Sequence, residues 1–239
     1  MRYKSTIYFV LSLFVFVVAV VFAFSRSKQK KELEIQIVYT KAPRFLNDSI
    51  VNKLLTQNPM FTSKKFKDSL VLNEVEAVLE DYEVIENVEV YLKPSGILGI
   101  NITEREPFFL VEDTLKYFVD RKAKRFPFMP QYEAILPTFS GFLSIEKRQE
   151  VIRFLTQIEA DPFLASEFKK LQYQEGKYKM EMRSFPFNVV LGSLNKMEHK
   201  MKKLKIFCAY QRAQDTLVGF NEINVQYANQ VVALTPKEL

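Results

Sequence analysis

The chain has one cysteine, Cys208, and one histidine, His199. A single cysteine excludes an intrachain disulfide. Two such residues cannot complete a closed four-ligand zinc site. They lie nine positions apart in one helical stretch, which keeps them from meeting as a nucleophile and base. Six glycines scattered over 239 residues leave no Gly-rich phosphate loop. Carboxylates are plentiful, but no spacing selects an acid/base pair. No catalytic residue, cofactor or metal is therefore expected. The chain also lacks low-complexity segments and internal repeats.

Charge is missing altogether from Thr6–Phe24, and fourteen of these nineteen residues are Val, Leu, Ile or Phe. Composition of this kind favours bilayer insertion by about 4–8 kcal/mol. As a helix rising 1.5 Å per residue, nineteen residues would cross a hydrocarbon core about 30 Å thick. The stretch exceeds the usual signal-peptide core, so a retained anchor is expected over a cleaved leader. Its orientation stays open. Arg2 and Lys4 precede it, while Arg26, Lys28, Lys30 and Lys31 follow, and long C-terminal domains translocate largely regardless of local charge.

The net charge of +6 divides into +4 over residues 1–34 and +2 over the remainder. The basic excess next to the apolar stretch suits anionic lipid headgroups and does not mark a nucleic-acid-binding domain. About 205 residues follow it, enough for one large domain or two small ones.

Ile35–Tyr39 reads as a strand, β-branched and aromatic. Asn47–Gln57 reads as a helix capped by Asn47 or Asp48, its apolar stripe being Ile50, Val51, Leu54 and Leu55, with Pro59 ending it. A second helix is expected from Asn73, with Glu76 in a capping box and Val75, Val78, Leu79 and Tyr82 on one face. The period then changes to two. Val88, Val90 and Leu92 alternate, as do Leu98, Ile100 and Ile102, around the turn residues Lys93-Pro94-Ser95-Gly96, which predicts a β-hairpin. Strand, helix, helix, strand, strand makes a three-stranded sheet with two helices on one face.

Beyond Pro107 the pattern gives a strand at Tyr117–Asp120, a turn at Arg121–Lys124 and a proline-punctuated loop through Pro127, Pro130 and Pro137. A helix follows at Glu146–Glu159, then strands at Phe168–Gln174, Tyr178–Met182 and Asn188–Leu191, a helix at Lys196–Tyr210, and a final pair, Phe220–Tyr227 and Gln230–Leu234. These assemble as a mostly antiparallel sheet with one or two helices beside it.

Within the 196–210 helix, His199 is expected on the solvent side and Cys208 in the core with Met197, Met201 and Leu204. Lys196, Lys200, Lys202, Lys203 and Lys205 form a solvated face rather than a nucleic-acid site. The run Glu74, Glu76, Glu80, Asp81, Glu83, Glu86 and Glu89 reads as the solvated side of the second helix and its exit, or as a patch for a basic partner. The last two strands place an edge where another protein's extended segment can add.

In order and spacing these residues resemble the FtsQ/DivIB family of bitopic bacterial cell-division proteins, over essentially the whole chain. Val88-Glu89-Val90 leading to Glu104-Arg105-Glu106-Pro107 matches a V-x-V strand closing on E-R-x-P in a POTRA module. Tyr117-Phe118-Val119-Asp120 matches a landmark that the family often follows with D-x-x-G, where Lys122-Ala123 stands here. Met129-Pro130, Leu136–Gly141, Val190-Leu191-Gly192 with Lys203-Leu204, and Phe220–Val232 match later landmarks, with Gln226 in place of a common arginine.

The resemblance implies an α+β chain: a cytoplasmic tail 1–5, a single transmembrane helix 6–24, a basic linker 25–34, a β-α-α-β-β POTRA domain 35–107 and a C-terminal β domain 108–239. It implies an inner-membrane, single-pass protein at the division septum with its bulk outside the cytoplasm. It implies a non-enzymatic divisome scaffold. The scaffold binds FtsB, in complex with FtsL, through Ile223, Val225, Tyr227, Asn229 and Val231, and is recruited by upstream proteins such as FtsK through the POTRA module. The lipid bilayer completes the expected partners; nucleic acid and small-molecule substrates are not among them. Two rivals remain: a membrane-tethered envelope enzyme using a carboxylate pair, and a POTRA-type chaperone or secretion factor.

Overall fold

The computed structural model describes residues 12–22, 34–57, 69–132, 135–214 and 219–235. Strand β1 (Ile35–Tyr39), helices α1 (Asp48–Gln57) and α2 (Ser69–Glu80), and strands β2 (Ile85–Leu92) and β3 (Leu98–Glu104) make the first unit. Its sheet has the order β1-β3-β2. β1 runs parallel to β3, with Ile35 opposite Leu98, and β2 runs antiparallel to β3. The hairpin turn closes by Lys93 N–H to Ile97 C=O at 2.9 Å and Gly96 N–H to Lys93 C=O at 2.8 Å, with Gly96 at φ +88°. Asn47 caps α1, its side-chain oxygen accepting from Ile50 N–H at 2.9 Å. Val51, Leu55, Val75 and Leu79 from the helices pack on Val88, Val90, Leu98, Ile100 and Ile102.

The second helix begins four residues before the expected Asn73. Asn73 is exposed within it, and Glu76 does not close a capping box. The Glu76 carboxylate instead accepts the Val90 N–H of β2 at 2.7 Å.

The second unit is one nine-stranded sheet. Its strands are β4 (Phe109–Glu112), β5 (Lys116–Val119), β6 (Arg125–Pro127), β7 (Thr138–Ser140), β8 (Phe168–Gln174), β9 (Lys177–Met182), β10 (Asn188–Gly192), β11 (Glu222–Asn224) and β12 (Val232–Leu234). They lie in the order β12-β11-β10-β9-β8-β7-β4-β5-β6. Helices α3 (Ile145–Glu159), α4 (Pro162–Glu167) and α5 (Met197–Gln214) accompany it. The sheet is mixed: most of its pairings are antiparallel, as expected, but β4–β7, β7–β8 and β10–β11 pair in parallel. Each parallel step needs a crossover. Between β7 and β8 that crossover is α3 and α4, and between β10 and β11 it is α5. Ser144 caps α3, and Asp161 caps α4 by accepting from Phe163 and Leu164 N–H.

The sheet serves two cores. Alternation along β5 turns Val119 into the large core with Phe109, Val111, Phe139, Phe154 and Leu204, and turns Phe118 toward the first unit. There Phe45 meets Phe118, Phe126 and Tyr132 at ring-centroid distances of 6.4, 6.0 and 5.4 Å. The two units are thereby packed together through β5 and β6.

The expected membrane-crossing helix at Thr6–Phe24 is corrected. Among the described residues the helical segment here is 12–22, eleven residues. No helix of the described residues is long and apolar enough to cross a membrane. Apolar composition measures affinity for lipid and does not by itself supply a continuous helix of spanning length. The expected single-pass, inner-membrane placement is accordingly not supported by the described residues. Residues 1–11 and 23–33, which hold the expected tail, the flanks of the stretch and nearly all of the basic linker, lie outside the described residues, as does Pro59.

Candidate functional site

Backbone alternation decides what the C-terminal edge offers. Asn221 C=O and Val225 N–H both bond to β10, through Asn188 N–H at 2.9 Å and Val190 C=O at 3.1 Å. Glu222 and Asn224 therefore turn their backbone groups to β12, opposite Leu234 and Val232. Ala233, between those two, turns its N–H and C=O away from β11. β12 is the outermost strand at this end of the sheet, so Ala233 presents one donor and one acceptor to an added strand.

The five expected contact residues divide sharply. Ile223 and Val225 are fully buried in the large core, where they pack against neighbouring strands and cannot meet a partner with their side chains. Val231 is half-buried against the same core. Tyr227 is 50% exposed and Asn229 is exposed, both on the loop that joins β11 to β12. Leu234 of the edge strand is also half-exposed. The structure thus brings Tyr227 and Asn229 together on one loop beside the edge and makes Ile223 and Val225 its foundation.

That loop is held from three sides. Asn224 Oδ1 accepts the Gln226 N–H at 3.0 Å, an Asx turn that leads the chain out of β11. The Gln226 side chain lies over Gly192, where a Cβ would stand 2.4 Å from Oε1; Gly192 is also at φ +68°. Gln226 therefore packs on the Leu191-Gly192 turn, whose glycine the sequence pattern singled out. From below, Lys203 Nζ donates to Val225 C=O at 2.9 Å, to Tyr227 C=O, and to Gln230 C=O at 3.5 Å.

Lys203 and two of its neighbours overturn the expected solvated lysine face. Lys200 is buried and donates to Leu191 C=O at 2.9 Å and Ser193 C=O at 2.7 Å. Burial, with a smaller push from the Lys203 charge, lowers its amine below the ordinary lysine range. Lys205 bonds Asp161, the cap of α4. The signal was available in the spacing: Lys200 falls three residues after Met197, on the stripe that continues through Met201, Leu204 and Cys208.

The two residues of most chemical interest are apart. His199 is exposed, whereas Cys208 is fully buried and burial pushes its thiol up to about 12. Glu106, Glu112, Glu146 and Asp161 are all held below the usual carboxylate range, Glu112 by hydrogen bonds from Lys170 and Lys116 and Asp161 chiefly by one from Lys205. A proton-donating acid requires the opposite shift. Of the acidic run, Glu74, Glu80, Asp81, Glu83 and Glu89 are exposed, while Glu76 and Glu86 are tied to Val90 and Lys122.

The opposite end of the sheet differs. The Asp120 N–H to Lys124 C=O bond fixes the alternation between β5 and β6, so Tyr117 and Pro127 face each other without ladder bonds. The Pro127 ring nitrogen, which has no hydrogen, faces outward from β6.

Sequence reasoning did not assign a role to Arg105, Asp120 or Glu104. Glu104 accepts the N–H groups of Arg44, Phe45 and Leu46 at 2.7, 3.1 and 2.6 Å. Arg105 donates to Glu83 and Ile85 carbonyls and to the Asp120 carboxylate. The E-R-x-P pattern thus fastens the first unit internally and to the second.

A POTRA-like domain matches residues 29–103, and the FtsQ/DivIB, C-terminal related family matches residues 106–234. No curated protein matches the chain. The C-terminal match alone spans more than half of the sequence and ends on the edge strand described above, and on this evidence the chain belongs to the FtsQ/DivIB family.

Proposed function

We propose that the chain acts in bacterial cell division as a non-catalytic scaffold that captures a partner's extended segment at β12. Its FtsQ/DivIB membership supports the cell-division role. The observation that carries the mechanism is the contrast between the two ends of the nine-stranded sheet. On β6 the outward-facing backbone belongs to Arg125 and Pro127, and Pro127 removes one of the two donors, whereas the other edge presents the Ala233 N–H and C=O beside exposed Tyr227 and Leu234. Strand addition uses such backbone groups for affinity and flanking side chains for specificity. The partner in this reading is FtsB in complex with FtsL, and the POTRA-like unit takes up upstream division proteins such as FtsK.

The test is co-purification with the FtsB–FtsL pair. Ala233→Pro removes the outward donor and fills the edge, and Tyr227→Ala removes the exposed ring. Both should abolish or sharply reduce capture while leaving the fold intact by circular dichroism. Full capture by both variants would overturn the proposal. Imaging a fluorescent fusion in dividing cells provides the second arm: signal confined to division sites supports the scaffold role, and a uniform distribution with normal division removes it.

A further inference from the structure

Lys203 sits 22 to 27 residues away in sequence from three carbonyls that it joins: Val225, Tyr227 and Gln230. An ammonium carries three N–H donors and no acceptor, so one lysine can satisfy all three oxygens at once. These oxygens come from the first, middle and last parts of the β11–β12 loop. For them to converge on one point the loop must curve around the ammonium, and this curvature sets the direction in which Tyr227 and Asn229 project.

We infer that Lys203 is a positioning residue for partner capture. From α5, its ammonium fixes the β11–β12 loop in the binding shape before a partner arrives. The inference rests on the reading of β12 as a strand-accepting edge and adds to it a named determinant outside that edge. Three features support it. The anchor is rigid: the Lys203 neighbours Met201 and Leu204 are buried in the large core, so the stem of the lysine leaves a fixed helix. The remaining supports of the loop lie at its two ends: the Asn224–Gln226 turn and the seat of Gln226 on Gly192 at its start, and Val231 packed on the large core at its finish. The region from Tyr227 to Gln230 is exposed and has no core side chain of its own. Without the ammonium, ordering that region would have to occur during binding, and the ordering entropy would be taken from affinity.

The test compares the full chain with Lys203→Met, which keeps the stem and removes every donor, and with Lys203→Arg, which restores a multiple donor. Backbone nitrogen-15 relaxation at residues 226–230 reads the order of the loop without any partner. Binding of the purified FtsB–FtsL pair reads the consequence. Loss of the charged donor should lower the order parameters of the loop and weaken binding by about tenfold, with both recovered in Lys203→Arg. If Lys203→Met lowers the melting temperature of the whole chain, Lys203→Gln, which retains a donor, is compared below both transitions. Unchanged order parameters in the loop would overturn the inference, and so would a looser loop with intact affinity. Failure of the unmodified chain to bind the pair would instead overturn the proposed function, so the two ideas fail separately.

Discussion

Arg105 and Asp120 form a buried ion pair, Nη1 to Oδ2 at 2.5 Å, with the two side chains only 6% and 5% exposed. Arg105 ends the POTRA-like hairpin, and Asp120 opens the turn after β5. Every nitrogen and oxygen atom of the two charged groups is engaged. Arg105 Nε and Nη2 bond the Glu83 and Ile85 carbonyls at 3.0 and 2.9 Å, and Asp120 Oδ1 accepts from Lys122 and Lys124 N–H at 2.9 and 2.8 Å. Removing one partner strands the other charge in the interior, which typically costs about 3–5 kcal/mol. Asp120→Ala should therefore lower unfolding stability by that amount in urea titrations. Arg105→Lys should also destabilise, because an ammonium cannot match the planar three-way geometry. A loss below about 1 kcal/mol for Asp120→Ala would show that the pair is solvated.

The same turn supports a prediction of opposite sign. Ala123 has φ +65°, and its N–H bonds the Asp120 carbonyl at 3.1 Å. The left-handed region costs a residue with a Cβ about 1 kcal/mol, and glycine avoids that cost. The family pattern D-x-x-G places glycine here. Ala123→Gly should raise stability by about 0.5–1 kcal/mol, read as a higher melting temperature, since relief of strain outweighs the added freedom of the unfolded chain.

Much of the fold was readable from periodicity, for reasons that individual elements make plain. β1, the β2–β3 hairpin, α1, α3, β8 and β9 each turn one face inward, so their sequences alternate or recur at helical spacing, while β10 read as a strand from its continuous apolar run. β4 went unread because it serves both cores: Phe109 and Val111 face one, Leu110 the other, and a continuous apolar run carries no period. β6 and β7 are three residues each, too short to show a period, and β7 is defined by pairing with β4 and β8, which are distant in sequence. The interaction edge was readable as β-rich sequence near the end of the chain. Its chemistry was not, because the outward turn of Ala233 and the three carbonyls on Lys203 depend on register and on a helix 22 residues earlier.

Acid should weaken the fold through Glu112 and Asp161. Lys170 and Lys116 hold Glu112 below its ordinary range, and Lys205 with the Leu164 N–H does so for Asp161. A carboxylate whose folded pKa lies below its unfolded one leaves more protons on the unfolded chain. Its stabilisation is thus complete above about pH 4–5 and is lost as pH falls through the folded value. The melting temperature should be flat near neutrality and drop below about pH 4. Lys170→Met should flatten the part of this drop that Glu112 contributes. A pH-independent melting temperature down to pH 3 would contradict the assignment.

Cys208 should behave as a core residue under chemical challenge. It is fully buried, and burial pushes its thiol up to about 12. At pH 8 almost none of it is thiolate, and the reagent has no access. Native protein should resist a thiol reagent such as iodoacetamide, and labelling should appear only with unfolding in denaturant. Cys208→Ser should cost about 1–3 kcal/mol by placing a hydroxyl where Met201 and Leu204 pack.

Pro127 gives the clearest test of how this sheet manages its ends. Its side of the ladder faces away from β5, as does that of Arg125, so a residue with an N–H there would give β6 a second outward donor and make it a better strand acceptor. The neighbouring surface is apolar: Leu115 is 78% exposed, and it shares with Phe126 and Phe128 a groove of about 560 Å³. Pro127→Val should leave the folded core intact, because Pro127 is itself exposed and the buried Phe126 before it is unchanged. It should nevertheless raise self-association, measured by sedimentation velocity across a concentration series. Pro127→Lys, which restores the N–H but adds an edge charge, should associate less than Pro127→Val. Were both variants to associate no more than the unmodified chain, the proline would not be what weakens this edge, and the contrast with β12 would need another origin.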